Sequence, residues 1–312
     1  MKKYDVLSVG DINVEITMTN LSSMPVLGRE VLADGLLTTL GGSTVNTAVG
    51  LAVQGLSSAF VGKLGRDDNA DFLRRELAAY GVDGSHLAVD EKEPAGVTVS
   101  VSTAGDRAMV TCMGAIGTLS DADVSDELLG QSRHLHVGGY FLQPALRPGL
   151  PVLFDRAHAA GLTTSFDTGW DDSEAWGGNL REVLAKTDVF LPNESEALAI
   201  TGEQDVPAAA RALARIVKVA VVKWGKHGAC VCTGDTFIQL PAYRGKPVDT
   251  TGAGDAFNAG FLSAFVRGLS LDDCLRWGLA SGSIRVTRLG SAASCPKRAD
   301  IEAMIASNDV EA

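Results

Sequence analysis

The chain has 312 residues, 46% of them hydrophobic and 21% charged, the composition of a globular protein with a sizeable core. Its formal net charge of -11 argues against nonspecific binding to nucleic acid or to an anionic membrane surface, where a basic face is needed. No run approaches the ~20 apolar residues of a membrane span, and the five cysteines (Cys112, Cys230, Cys232, Cys274 and Cys295) have no staple-like rhythm, so a reducing, cytoplasmic setting is expected.

In chain order, YDVLSVG reads as a strand, with no long apolar stretch before it that would mark a secretory signal. Residues 14–39 carry little helical signal. TVNTAVGLAVQG has small and apolar residues at helical spacing and stops at glycine. SSAFVGKLG is again a strand, and NADFLRRELAAYG is a helix ended by Gly81. Ala95–Ala115 reads as two strands joined by a Gly-Asp turn in AGDR, where Arg107 is either plain surface or within reach of a substrate. HLHVGGY, GLTTSFD, DVFLPN and VKVAVVKWG are further buried strands, with helical segments such as LPVLFDRAHAAG and VPAAARALARIV between them. This order predicts a single α/β domain over residues 1–312, with a mostly parallel sheet covered by helices on both faces. The segments at 12–40 and 94–115 break the pattern and are expected to form a small β-sheet lid. His134 and His136 share one face of a strand and are read as core. Cys230 and Cys232 lie in a β pattern with one residue between them, which does not suit zinc.

DTTGAGDAFNAGF, near the end of the chain, carries the most chemistry. Gly252 and Gly254 permit backbone conformations closed to other residues, and Ala253 adds little bulk. The amides of residues 252–255 can therefore converge where a helix mouth adds free N–H groups and a positive dipole end. The result is an anion hole suited to phosphate oxygens. A carboxylate beside it is repelled by a bound anion, and proton abstraction next to a transferring phosphoryl group gives that arrangement a use. Asp255 is expected to orient a substrate hydroxyl and take its proton late, because an aspartate with an ordinary pKa of about 4 is a weak base. The competing reading is an N-capping aspartate after a glycine turn. The stretch lacks the lysine and Ser/Thr of a Walker A loop and lies far from the first strand, where a dinucleotide fingerprint belongs.

DTTGAGDAFNAGF resembles the C-terminal signature of the ribokinase-like (PfkB) carbohydrate kinases. GGSTVNTA (Gly41–Ala48), LPNESEA (Leu191–Ala197), VVKWGKHG (Val221–Gly228) and VTRLGS (Val286–Ser291) resemble the family in the same order over nearly the whole length. The resemblance implies a ribokinase-like three-layer sandwich whose β lid closes over a sugar or nucleoside. It also implies phosphorylation of a hydroxyl with ATP and Mg2+. The family's base matches Asp255, and its anion hole matches Gly252, Ala253 and Gly254. Asp11, Asn13 and Glu15 lie on one side of an extended segment, and acids and amides are bidentate partners for vicinal hydroxyls. Relatives usually carry Asp where Glu15 stands. Gly41 and Gly42 let backbone approach a polyol, and Asn46 can pair with its hydroxyls. The alternative there is a loop with a helix cap at Ser43 or Thr44.

Asn193 and Glu196 match residues that place Mg2+ largely through water, and the same stretch reads equally as a helix start. Lys223, Gly225 and Gly228 match a loop at the nucleotide phosphates and ribose, with Trp224 read as core and Lys226 as surface. Asp249 and Thr251, with carbonyls around Arg285, Arg288, Gly290 and Ser294, match a monovalent cation site that would hold K+. The expected partners are ATP and a small sugar of the ribose, fructose or 2-keto-3-deoxygluconate type, with a homodimer formed through the lid. A nucleoside kinase, with Tyr140 and Phe141 near the pocket wall, is the second enzyme reading. A non-catalytic sugar-binding protein on the same scaffold is the reading from another class. Phe166–Trp176 carries three acids after Thr168 and has no assigned role; if they face the pocket, they disfavour a phosphorylated sugar.

Overall fold

The computed structural model describes residues 2–103, 107–290 and 292–311. Runs such as YDVLSV and VAVVK are mostly apolar and buried through their middle on both faces, as strands covered on both faces must be. In chain order the strands are β1 (Tyr4–Val9), β2 (Asn13–Thr19), β3 (Gly35–Gly41), β4 (Ser58–Val61), β5 (Lys63–Leu64), β6 (Ala88–Val89), β7 (Gly96–Ser102), β8 (Arg107–Cys112), β9 (Ser132–Val137), β10 (Thr163–Phe166), β11 (Val189–Phe190), β12 (Val219–Lys223), β13 (Ala229–Thr233) and β14 (Thr236–Leu240). The helices are α1 (Ser43–Val53), α2 (Asp68–Ala79), α3 (Asp126–Gly130), α4 (Leu150–Ala159), α5 (Leu180–Ala185), α6 (Glu194–Thr201), α7 (Val206–Leu213), α8 (Ala253–Val266), α9 (Leu271–Val286) and α10 (Arg298–Ser307).

Eight strands form the main sheet, in the order β14-β13-β12-β11-β10-β9-β1-β4. Pairing is parallel from β4 to β12, and β13 and β14 turn back antiparallel at one edge. One face carries Leu7, Phe166 and Phe190 and packs on α3 to α7. The other carries Val6 and Val221 and packs on α1, α8, α9 and α10. The result is a three-layer α/β sandwich, as the alternation of elements predicts.

The two segments without helical signal form a second, four-stranded sheet in the order β3-β2-β7-β8. A third cluster, with Ile12, Val14, Leu40 and Phe60, ties it to α1 and α2. The Gly-Asp turn of AGDR and Ser291 lie outside the described residues. SSAFVGKLG, expected as one strand, divides at Gly62 into β4 and β5, and β5 leaves the main sheet to pair with β6. Any side chain at Gly62 would strike Phe60 and Ile12, so the break sits where only glycine fits.

His134 and His136 are buried, and Ser165 bonds both rings while Thr163 bonds His134. Among the described residues, no cluster of His, Cys, Asp or Glu is arranged to hold a metal, and no helix is long and apolar enough to cross a membrane.

Candidate active site

The site is assembled at the mouths of two helices, α1 and α8. Gly42 caps α1 with φ 115°, a backbone state that favours glycine, and a side chain there would lie 2.7 Å from the Asp11 carbonyl. Gly42 has no side chain to satisfy the first amides of the helix. Asp11 does so instead: its carboxylate accepts the Ser43 N–H at 2.7 Å and the Thr44 N–H at 3.0 Å, with the Thr44 hydroxyl at 2.5 Å. Asp11, expected as a sugar ligand, therefore also caps α1 from outside the helix, with its oxygens at the positive end of the helix. Ser43 and Thr44 are not the cap.

With its own mouth secured, α1 presents Ser43 and Asn46 to α8. The Ser43 hydroxyl donates to Asp255 Oδ1 at 2.7 Å, and Asn46 Nδ2 donates to Asp255 Oδ2 at 3.1 Å. Asn46 Oδ1 is buried with no partner. Asp255 lies in the first turn of α8, behind the N-capping Gly252 at φ 72°. Of the expected anion-hole amides, that of Ala253 already makes a long 3.3 Å bond to the Thr250 carbonyl. Those of Gly252, Gly254 and Asp255 stand at the helix mouth, where amides have no acceptor within the helix. Burial pushes the Asp255 carboxyl up to about 7, and the nearby Asp167 adds to it, against the Ser43 and Asn46 bonds and the Lys223 charge. The expectation of an ordinary, weak aspartate is therefore corrected.

Behind Asp255 lies a buried polar network that sequence reasoning missed. Asp167, just past the end of β10, accepts from Lys223 Nζ at 2.8 Å, Asn258 Nδ2 at 2.6 Å and the Gly169 N–H at 3.0 Å. Burial pushes Asp167 up, but Lys223, Asn258 and Gly169 outweigh it and hold it below the usual carboxylate range. Burial likewise pulls the Lys223 ammonium down, and the carboxylates of Asp167 and Glu196 more than reverse this. A side chain at Gly254 would come within 3.6 Å of Lys223 Nζ, so the ammonium stands beside the helix mouth. Two signals could have exposed the network. Asn258 follows Asp255 by three residues on one helix face, and Asp167 stands at the carboxyl end of a parallel strand, where ligands of open sheets bind.

Asn193 and Glu196 form a reciprocal cap on α6. Asn193 N and Nδ2 donate to the Glu196 carboxylate, and the Glu196 N–H donates to Asn193 Oδ1. Burial pushes Glu196 up to about 7, with Asp167 adding to the effect. Lys223, Gly225, Gly228, Ala253 and Gly254 line a cleft of about 420 Å³ whose wall includes Tyr243, Phe257 and Leu279. Lys226 lines it too, from an exposed position, whereas Trp224 packs on the core and donates from Nε1 to Glu194. A second cleft, of about 610 Å³, opens between the small sheet, at Glu15, Thr17 and Thr39, and residues 247–251 and Leu289. Asn13 and Gly41 face each other across β2 and β3, and Asn13 Nδ2 donates to Thr98.

Asp249 accepts the Thr251 N–H at 2.9 Å and, on its other oxygen, the Gly290 N–H at 3.3 Å and Arg285 Nη2 at 3.4 Å. In Phe166–Trp176, Asp171 is turned to its own loop, where it bonds Ser173 and the Trp176 N–H. Tyr140, expected at a pocket wall, is buried in the core with its hydroxyl on Asn179.

A glycine-capped helix mouth, a buried carboxylate at its first turn and a cleft alongside are what an enzyme that phosphorylates a hydroxyl would need. The model of the pfkB family of carbohydrate kinases matches residues 3–298, and the chain belongs to that family, whose members transfer a phosphoryl group to an alcohol. It is 30% identical to the 2-dehydro-3-deoxygluconokinase of Bacillus subtilis, over 83% of this chain and 84% of that one. It is 26% identical to the ATP-dependent 6-phosphofructokinase of Thermoanaerobacterium thermosaccharolyticum, over 97% and 94%. Among solved structures, Arabidopsis thaliana ribokinase complexed with ribose and ATP matches with a TM-score of 0.83 and 26% identity, covering 97% of this chain and 98% of that one.

Proposed function

We propose that this sugar kinase uses MgATP to phosphorylate a hydroxyl of a small, uncharged sugar, with Asp255 as the base. The observation that carries the reading is the contact between the two helix mouths: Ser43 and Asn46 hold both Asp255 oxygens beside the Gly252–Gly254 turn. Asn46 keeps a buried, unpartnered oxygen there, which a sugar hydroxyl would satisfy. Asn13, Glu15, Gly41 and Gly42 supply the remaining sugar contacts in this reading. The attacking hydroxyl bonds to Asp255, which at neutral pH is balanced between its two charge states and takes the proton as the phosphoryl group arrives. The amides of Gly252 and Gly254 hold the developing negative charge. The Ala253 amide joins them only by giving up its bond to Thr250.

The nucleotide takes the 420 Å³ cleft, with its base against Tyr243, Phe257 and Leu279 and its phosphates toward Lys223 and Gly254. The site's charge suits a divalent cation: Asp167, Asp255 and Glu196 face a single ammonium, and two of these acids are pushed up to about 7. Asn193 and Glu196 would hold Mg2+ through its water, and when bound it neutralises phosphate charge. The small sheet is the lid, whose closure excludes water and protects ATP from hydrolysis. Exposed Leu36, Leu37, Met109 and Val110 on its edge strands support a homodimer through it. A sugar substrate is favoured over a nucleoside because Tyr140 is locked in the core and cannot stack on a base. GGSTVN contains no lysine to meet a substrate phosphate, which favours an uncharged sugar.

A coupled ADP-release assay with ribose, fructose, 2-keto-3-deoxygluconate and adenosine tests this directly. Turnover is expected with at least one sugar and not with adenosine. Asp255→Asn should lower kcat at least 100-fold, roughly the contribution of a positioned base, while leaving ATP affinity in place. Preference for adenosine, or an Asp255→Asn protein of near-normal turnover, would refute the assignment.

A further inference from the structure

We propose that the Arg285 guanidinium is the fixed cation behind the anion hole, and that the protein therefore needs no K+ or other monovalent ion. The proposal rests on the kinase reading for its effect on turnover, but its geometry stands alone. Helix α9 runs hard against the start of α8: a side chain at Gly282 would lie 3.3 Å from the Ala253 carbonyl. Three residues on, and so on the same face of α9, Arg285 is fully buried. Its Nη1 donates to the Arg288 carbonyl at 2.8 Å and to the Asp249 carbonyl at 3.4 Å, and its Nη2 lies 3.4 Å from Asp249 Oδ2.

These are the oxygens that the resemblance assigned to a potassium ion, and they face a positive charge already present in the chain. Two more of the expected ligands are also engaged. The Gly290 carbonyl accepts the Ser294 hydroxyl, and the Arg285 carbonyl accepts the N–H groups of Thr287 and Arg288. A K+ ion bound to the Asp249 and Arg288 oxygens would sit against a buried guanidinium that already donates to them. The residues do not fit it.

The geometry gives Arg285 a positioning role. Asp249 begins the turn that ends in Gly252, and its carboxylate is held from three sides, by the Thr251 and Gly290 amides and by Arg285. A charge carried on α9 and bonded to the main chain of that turn holds the hole open before substrate arrives. Elsewhere a diffusible cation can do this; here the side chain replaces it.

The test compares wild-type protein in K+, Na+ and choline at matched ionic strength. Three readouts are taken: Tm, MgATP affinity by calorimetry, and turnover with the best sugar. The first two need no known substrate, so they decide the matter even if the kinase assignment fails. The expected result is no K+-specific change beyond about 1 °C in Tm or about twofold in affinity and turnover. Arg285→Ala should lose at least tenfold in kcat with a smaller change in the KM for ATP, and added guanidinium ion should restore part of it. A K+-specific rise in any wild-type readout overturns the proposal, as does an Arg285→Ala protein with unchanged kcat. If that variant does not fold, Arg285→Lys, which keeps the charge, is expected to show the same insensitivity to K+; a K+ requirement in it counts against the proposal.

Discussion

Asp255 shows how far one residue's chemistry depends on neighbours remote in the chain. TGAGD marks a carboxylate beside an anion hole. That this carboxylate titrates near neutrality follows from its burial and from Asp167, which together outweigh a hydroxyl donor 212 residues away in the sequence. No local reading could supply those terms. The shift has a stability consequence. An aspartate titrates near 3.8 in the unfolded chain and at about 7 in the folded one. Between these values the folded protein holds a proton that the unfolded chain has lost, so stability falls as pH rises through that window and stays at its lower level above it. Asparagine keeps both contacts, because its oxygen can face Asn46 and its amide can donate to the Ser43 hydroxyl. Asp255→Asn should therefore match wild-type stability at about pH 4 and exceed it by about 1–3 kcal/mol at about pH 8, measured by urea unfolding. A stability difference that is constant across that range would show that Asp255 is not the group that burial has shifted. Greater stability combined with lost turnover is the pattern expected where a site, and not the fold, has selected the residue.

At the scale of elements, α1 is the piece that, in the proposed mechanism, joins the sugar side of the site to the base. Its existence was legible from small and apolar residues at helical spacing. Its capping was not, because the usual signal is a Ser, Thr, Asp or Asn at the cap position, and that position is Gly42. The acceptor comes instead from Asp11, 32 residues earlier in the chain. The arrangement gives α1 a sharp dependence on one side chain. Asp11→Ala would orphan a buried amide, a half-buried amide and a hydroxyl and remove a charge from a helix N-terminus, so it should cost about 2–3 kcal/mol, more than an exposed cap. Ser43 and Asn46 lie within the first turn of the same helix, so kcat/KM should fall as well. Urea unfolding and steady-state kinetics on one preparation test both effects. Lower sugar affinity with wild-type stability would mean that Asp11 acts as a direct ligand and not through the cap. The reciprocal cap of Asn193 and Glu196 was legible as a helix start, and the structure makes it so; any service to Mg2+ is additional to that.

For the whole molecule, the parallel sheet was legible because buried strands and helices alternate with little interruption, and few topologies satisfy that order. The small sheet was legible only as a gap in the helical pattern with two strands at 95–115. The parallel pairing of β2 with β7 joins segments about 80 residues apart, and no local periodicity specifies such a contact. That pairing builds the sheet proposed as the lid. β3 is an edge strand, bonded on one side to β2, and its free side borders the 610 Å³ cleft opposite residues 247–251. An open cleft of that size admits water to the phosphates, so a kinase must close it before transfer. Leu37 reaches toward the far side: its Cδ2 would lie 3.8 Å from a Cβ placed on Gly290. If the sheet swings as a lid, sugar together with a non-hydrolysable ATP analogue should slow amide hydrogen exchange in both 35–39 and 247–251, by about tenfold or more, whereas either ligand alone should protect mainly the helix mouths. Exchange at 35–39 that stays unchanged with both ligands bound would mean that the sheet is a fixed wall and that water is excluded by some other element.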